Sequence, residues 1–379
     1  MKIAVIAHGL RVAGGRSVAQ NIIASLARAG VEHEYLLVMP KGVGYEEIEQ
    51  PYSATAYYVA VPGGFIGRAV YDAIFLPALV KRWEPDCIFC LGNFGLSVGG
   101  AKQAVLFHKS HFVYPEVSFA LTPSDRLKNC IIESQIRRSL PFTDLVFCQT
   151  EALKQRYIAR FNPVANVELL PNVVSKSVLA GNSDLSILPA PLQRDVVRLK
   201  FKLFALTRYY SHKNLEALLA VFDKYRSELK DVICILTIDA SDHADAARLL
   251  KKIETLGLSN QLINIGSVAQ QLLPTLYEFS DALILPTLLE SFSGTYVEAM
   301  RYRTPILTSG RDFAQAVCKQ AALYFDPLDP ESILDVILRL KTDTKLGDEL
   351  VALGSERLQE LPSDWDLVVT DALAKLVAL

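Results

Sequence analysis

"KIAVIAHGLRVAGGRSVAQNIIASLARAG", residues 2–30, decides the fold. A short apolar run ends in a turn that carries Gly14 and Gly15, and SVAQNIIASLARAG then repeats its apolar residues at helical spacing. Strand, glycine turn and amphipathic helix in that order form one unit of a parallel sheet whose connections cross over on its faces. The same alternation continues through EYLLVM, YYVAV, CIFCLG, AVLFH and LVFCQT, the last followed by the helical EALKQRYIARF.

A second series starts near residue 200: FKLFAL, NLEALLAVFDKY, DVICILTI, HADAARLLKKIETL, QLINIG, QLLPTLYEF, ALILP, TYVEAMRY and PILTS. The chain is therefore expected to be α/β, with two Rossmann-like domains in tandem. The stretch between them, LAGNSDLSILPAPLQRD, has no clear period, which puts a linker at about residues 176–197. The boundaries read as 1–178 for the N-terminal domain, 196–360 for the C-terminal domain and 361–379 for a terminal amphipathic helix, PSDWDLVVTDALAKLVAL. A length of 379 residues with 51% apolar composition is enough to build both cores.

A net charge of −2 provides no basic field for a nucleic-acid backbone, so no nucleic-acid partner is expected. Six scattered cysteines lack the density of a disulfide framework, which argues for a reducing compartment. Cys87 and Cys90 lie within a strand-like run, and no second Cys/His pair completes a zinc site. The sequence shows no signal-peptide pattern. Its most apolar helix-like stretch, FIGRAVYDAIFLPALV, is interrupted by Arg68 and Asp72 and cannot span a bilayer. A cytoplasmic protein is expected, with room for peripheral contact at the inner membrane face.

Ligands of open α/β sheets bind beyond the carboxyl ends of the strands, so residues that follow strands carry the information. Gly14 and Gly15, read as lying just before a helix, either form a plain turn or let backbone N–H groups approach a phosphate or sugar oxygen. A G-x-G-x-x-G fingerprint is absent, which counts against a dehydrogenase. In VLFHKSHFVYP, His108 ends a strand and His111 follows in the loop. Either is a structural histidine or a cleft-facing one, and no carboxylate at ligand spacing makes them a metal pair. In ALTRYYSHKN, Arg208 and Lys213 sit where the next helix begins; they form an ordinary basic turn or a diphosphate site.

ESFSGTYVE, residues 290–298, holds two glutamates. Were the whole stretch helical, Glu290 and Glu298 would lie about 12 Å apart along the axis, beyond the roughly 5–9.5 Å of a glycosidase pair. A helix that starts near Ser293 to Thr295 leaves Glu290 in the preceding loop. Thr295-x-x-Glu298 then matches a capping box, while the free N–H groups of Ser293, Gly294 and Thr295 offer an anion site.

Taken together, these segments resemble the retaining glycosyltransferases of family 4, whose architecture is GT-B: two Rossmann-like domains facing a central cleft, with a C-terminal helix that crosses back to the N-terminal domain. The E-x7-E motif is matched by Glu290 and Glu298 within SDALILPTLLESFSGTYVEAMRYRTPILTS, and the GR-xxxx-K motif by Arg208 and Lys213. FTDLVFCQTEALKQRY, VELLPNVV and SDWDLVVTDAL are similar to further family segments, as is the Gly14-Gly15 turn. Four positions depart from the pattern: Thr207 and Arg303 replace glycines, Val173 follows Asn172 where glycine is common, and Gln315 stands near the place of a frequent glutamate.

The resemblance implies transfer of a sugar, with retention, from a nucleotide diphosphate-sugar of UDP or GDP type to an acceptor hydroxyl. Arg208 and Lys213 would bind the diphosphate, Glu298 the ribose hydroxyls and Glu290 the transferred sugar. Backbone N–H groups of Phe292, Ser293, Gly294 and Thr295 would lie near the sugar and phosphates, and His108 beside the sugar. No cofactor or metal is expected, since Asp364 and Asp366 read as helix capping. The acceptor would be a glycan or a lipid-linked glycan, met by residues such as Arg68, Lys109, Phe112 and Tyr114, in cell-surface polysaccharide or lipopolysaccharide assembly. The rival readings are another GT-B enzyme, an epimerase or phosphorylase, and a non-catalytic nucleotide-sugar-binding subunit.

Overall fold

The computed structural model describes residues 1–60, 64–117, 123–181 and 183–379. The chain divides into two compact units, Met1–Asn172 with Pro362–Leu379, and Val173–Leu361. Among the described residues no helix is long and apolar enough to cross a membrane.

The first unit is built on a seven-stranded sheet: β1 Lys2–Ile6, β2 Glu34–Pro40, β3 Ala54–Val59, β4 Cys87–Cys90, β5 Lys102–Phe107, β6 Leu145–Cys148 and β7 Asn166–Leu169. Every pairing is parallel, and the order is β3-β2-β1-β4-β5-β6-β7. Strands β1, β4, β5 and β6 are apolar on both faces because helices cover both, so they read as continuous runs rather than alternations. Cys87 and Cys90 are strand residues in this core, and burial pushes the Cys87 thiol up to about 12.

The second unit repeats the plan with six strands: β8 Phe201–Ala205, β9 Val232–Leu236, β10 Leu262–Asn264, β11 Ala282–Leu285, β12 Ile306–Ser309 and β13 Leu323–Phe325. They are again all parallel, in the order β10-β9-β8-β11-β12-β13. Two strands have no counterpart in the sequence reading, and both are edge strands: β7, which is largely open to solvent, and β13, three residues long. Residues 176–197, expected to be a linker, instead contain four short helical turns: Lys176–Leu179, Leu185–Ile187, Ala190–Leu192 and Asp195–Arg198. They belong to the second unit, where the Asp184 N–H donates to Thr275 Oγ1 at 3.0 Å and the Tyr302 hydroxyl donates to the Val178 carbonyl at 3.1 Å.

The terminal helix, Trp365–Val377, belongs to the first unit and packs on the helix Ala13–Ala29. Its apolar stripe of Trp365, Val368, Val369, Ala372, Leu373 and Leu376 is buried. Asp364 caps it by accepting the Leu367 N–H at 3.0 Å, and Asp366 pairs with Arg28 Nε at 2.9 Å. Both carboxylates of the D-x-D are thus occupied in holding this helix.

Candidate functional site

In the second unit the strand order reverses between β8 and β11, which lie side by side. The crevice beyond their carboxyl ends is where this topology places a ligand. Arg208 and Lys213 follow β8, and Glu290 follows β11. The chain order thus delivers both cations and the carboxylate to the carboxyl ends of two neighbouring strands.

The loop after β8 is fixed locally. The Thr207 N–H donates to Thr237 Oγ1 at 3.1 Å, and Thr237 Oγ1 returns a bond to the Thr207 carbonyl at 3.2 Å. A threonine is therefore tolerated where glycine is usual, since residue 207 is not among those with positive φ. Ser211–Lys213 form a single 3₁₀ turn, and Asn214 adopts φ 53° before the helix Leu215–Lys224. Asparagine bears that left-handed conformation better than most residues. Its amide ties the turn down by donating to the carbonyls of Pro286 at 3.2 Å and Pro327 at 2.8 Å. The Leu288 N–H donates to the His212 carbonyl at 2.7 Å, joining this loop to the one that carries Glu290.

The Lys213 ammonium and the Glu290 carboxylate form an ion pair with both side chains largely buried, 14% and 15% exposed. Arg208 is more open, and its guanidinium engages the buried Asp242 carboxylate through Nε and Nη2. Asp242 has no signal in the sequence reading; it lies 34 residues away in the loop after β9.

The helix begins at Gly294 with Ser293 as its N-cap, within the range expected from sequence. The capping box is not formed. The Ser293 side chain caps nothing and instead shares a hydrogen bond with Thr295 Oγ1 at 2.8 Å. Thr295 falls on the second helical residue rather than at the cap, so Glu298 has no cap N–H to return to. Glu298 turns to Tyr277, whose hydroxyl donates to its Oε2 at 2.9 Å. Desolvation pushes the Glu298 carboxyl up to about 7, with the Tyr277 hydrogen bond holding it back. The Gly294 and Thr295 N–H groups have no intrahelical acceptor and no side-chain cap, while the Tyr296 N–H donates to the Ser293 carbonyl at 3.2 Å. Phe292 and Ser293 are buried at its start, while Gly294 and Thr295 are partly open.

The remaining predicted residues lie in the first unit. Gly14 and Gly15 do not precede the helix but fall in its first turn, since Ala13–Ala29 starts one residue earlier. Space around Gly14 is open, so its absent side chain is not required there. Gly15 is different: a Cβ would lie 3.2 Å from His108 Nε2, so the glycine lets the imidazole approach the helix start. His108 directly follows β5, its N–H donating to Asn93 Oδ1 at 2.9 Å. Burial lowers its pKa to about 4, so the ring is neutral near pH 7. His111 sits in the 3₁₀ turn Ser110–Phe112 and is exposed.

Comparison with known proteins matches the two units separately. Residues 12–177 match the family model described as Glycosyltransferase Family 4, and residues 196–356 the one described as Glycosyl transferases group 1. Mannosylfructose-phosphate synthase from Agrobacterium fabrum is 27% identical over 129 residues, 34% of this chain and 28% of that protein. The alpha-monoglucosyldiacylglycerol synthase of Streptococcus pneumoniae is 21% identical over 327 residues, 79% of this chain and 70% of that one. The chain thus spans under a third of the first relative's length and about two thirds of the second's. Among solved structures, Anabaena HepE in complex with UDP and glucose superposes with a TM-score of 0.75 at 16% identity, covering 100% of this chain and 99% of that one. At that identity the likeness concerns the fold.

Proposed function

The chain belongs to the group 1 and family 4 glycosyltransferases, with a GT-B fold, and from that premise we propose that it moves a sugar from a nucleotide diphosphate-sugar to an acceptor hydroxyl with retention of configuration. The observation that carries the reading is the Lys213–Glu290 pair at the β8/β11 reversal, with Arg208 in the same loop after β8, followed by an uncapped helix start and the buried Glu298. Departure of a nucleoside diphosphate builds negative charge on the leaving phosphate, and fixed cations and N–H dipoles lower the barrier by meeting it. Arg208, Lys213 and the N–H groups from Phe292 to Thr295 take that role. Glu290 accepts from the hydroxyls of the sugar, and its pairing keeps Lys213 beside it. Glu298, ionised, accepts from the ribose hydroxyls. In this reading the leaving group's charge is met by side chains and backbone, so turnover requires no divalent metal and survives a chelator.

A donor of UDP type is supported by HepE, whose structure contains UDP and glucose. A glycolipid product is supported by the relative named alpha-monoglucosyldiacylglycerol synthase. Calorimetry against UDP, GDP and ADP, and against their sugars, tests the site. One nucleotide should bind wild type and be lost or weakened at least tenfold in both Arg208→Ala and Glu298→Ala, the scale of one charge-assisted hydrogen bond. Binding that survives both substitutions unchanged would remove the assignment. Nucleotide release that depends on added acceptor separates transfer from epimerisation.

A further inference from the structure

The first unit has its own reversal of strand order, between the neighbours β1 and β4. A cavity of about 150 Å³ opens beside the residues that follow those strands, bordered by Gly9 after β1, Asn93 after β4, Lys109 after β5, and Arg68 and Asp72 from the helical run 64–83. That run widens to a π-turn over Tyr71–Phe75, just before Pro77, which has no N–H to return to the preceding turn. Asp72 lies in the π-turn, buried, with Oδ1 2.5 Å from His8 Nε2 and Oδ2 3.5 Å from Arg68 Nε.

The Arg68 guanidinium lies against the backbone of Gly9. Its Nη1 donates to the Gly9 carbonyl at 3.1 Å, and a Cβ on residue 9 would fall 1.8 Å from Nη2. The glycine leaves room for the guanidinium to approach the backbone, and a side chain there would push it aside. Among the described residues Arg68 Nη2 has no acceptor and Lys109 Nζ no ion pair or hydrogen bond; that ammonium lies 5.7 Å from the centroid of the Phe112 ring. Burial first, and Arg68 next, lower the Lys109 pKa; Lys128 acts the same way and Asp125 opposes them. Two cations therefore border one small cavity against the single carboxylate of Asp72, which His8 and Arg68 already occupy. Their mutual repulsion is relieved when an anion enters, and the unused N–H donors suit its oxygens.

We infer that this cavity holds an anionic group, a phosphomonoester or a carboxylate, carried by the acceptor that receives the sugar. The acceptor role rests on the transfer reaction proposed above; the anion site does not.

Calorimetry of the full chain with inorganic phosphate, and separately with acetate, tests the site. At least one anion should bind wild type and bind tenfold or more weakly to Arg68→Gln and to Lys109→Gln, the scale of one lost charge-assisted hydrogen bond. Gly9→Ala keeps both charges and displaces only the guanidinium, so weakening there marks a built site rather than general charge. UDP binding should be unchanged in Arg68→Gln and Lys109→Gln, and the thermal transition unchanged in Lys109→Gln, whose ammonium holds no ion pair or hydrogen bond among the described residues. Binding of phosphate alone assigns a phosphomonoester, and binding of acetate a carboxylate. Anion binding that persists at full strength in the variants, or fails in wild type, overturns the site. If wild type binds phosphate but no nucleotide, the acceptor role falls with the transferase reading and the anion site stands.

Discussion

Glu298→Gln isolates the energetic cost of a buried carboxylate. In the folded protein desolvation raises Glu298 from 4.5 to about 7. A carboxyl whose folded pKa is raised contributes fully to stability below its unfolded value, and that contribution is lost as pH rises toward the folded one, because the folded state holds the proton longer. At about 1.4 kcal/mol per unit the full shift is worth about 3 kcal/mol, a ceiling because the side chain keeps some exposure. Glutamine has nearly the same shape, still accepts from the Tyr277 hydroxyl, and does not titrate. The two proteins should therefore be closest in stability near pH 4.5, with the variant gaining on wild type up to pH 8 by as much as about 3 kcal/mol. Urea unfolding of both at pH 5, 6, 7 and 8 measures the difference directly. Parallel curves across that range would refute the reasoning, since they would mean that Glu298 titrates alike in the folded and unfolded chain.

Two further predictions follow from particular contacts. Tyr277→Phe removes the hydrogen bond that favours the ionised carboxylate, so Glu298 should titrate at still higher pH. With an ionised Glu298 holding the ribose, UDP affinity in wild type should rise through about pH 7, and the midpoint should move upward in Tyr277→Phe; calorimetry over pH 6–9 reads both. Arg303 is exposed and held at φ 58°, so Arg303→Gly should stabilise the chain by about 1 kcal/mol. A thermal midpoint higher by about 2–4 °C is the expected readout, and a lower midpoint would show that the side chain carries a contact outweighing the strain.

What could be read from sequence was local or strongly periodic. The central strands are buried on both faces and announce themselves as apolar runs, whereas β7 faces solvent and β13 is too short to form a run. Glu290 and Lys213 could each be placed after a strand, but their ion pair joins residues 77 apart and depends on β8 and β11 being neighbours. The Tyr277–Glu298 bond spans 21 residues and the His8–Asp72 contact 64, and no spacing rule links either pair. The capping box failed for a narrower reason. A two-residue difference in the helix start moves Thr295 off the cap, and the carboxylate then finds a partner outside its own helix.

Arg303 shows how a departure in sequence need not be a departure in structure. The helix Gly294–Arg301 ends with the Thr304 N–H donating to the Ala299 carbonyl at 2.9 Å and the Arg303 N–H donating to the Met300 carbonyl at 3.2 Å. That pattern of hydrogen bonds demands a left-handed residue at 303 whatever its side chain, which is why glycine suits the position. Arginine accepts the strain, and the loop that follows still delivers Pro305 and β12 in register beside β11. The helix start that faces the site therefore keeps its place, and the substitution acts on stability at the far end of the helix rather than on the chemistry.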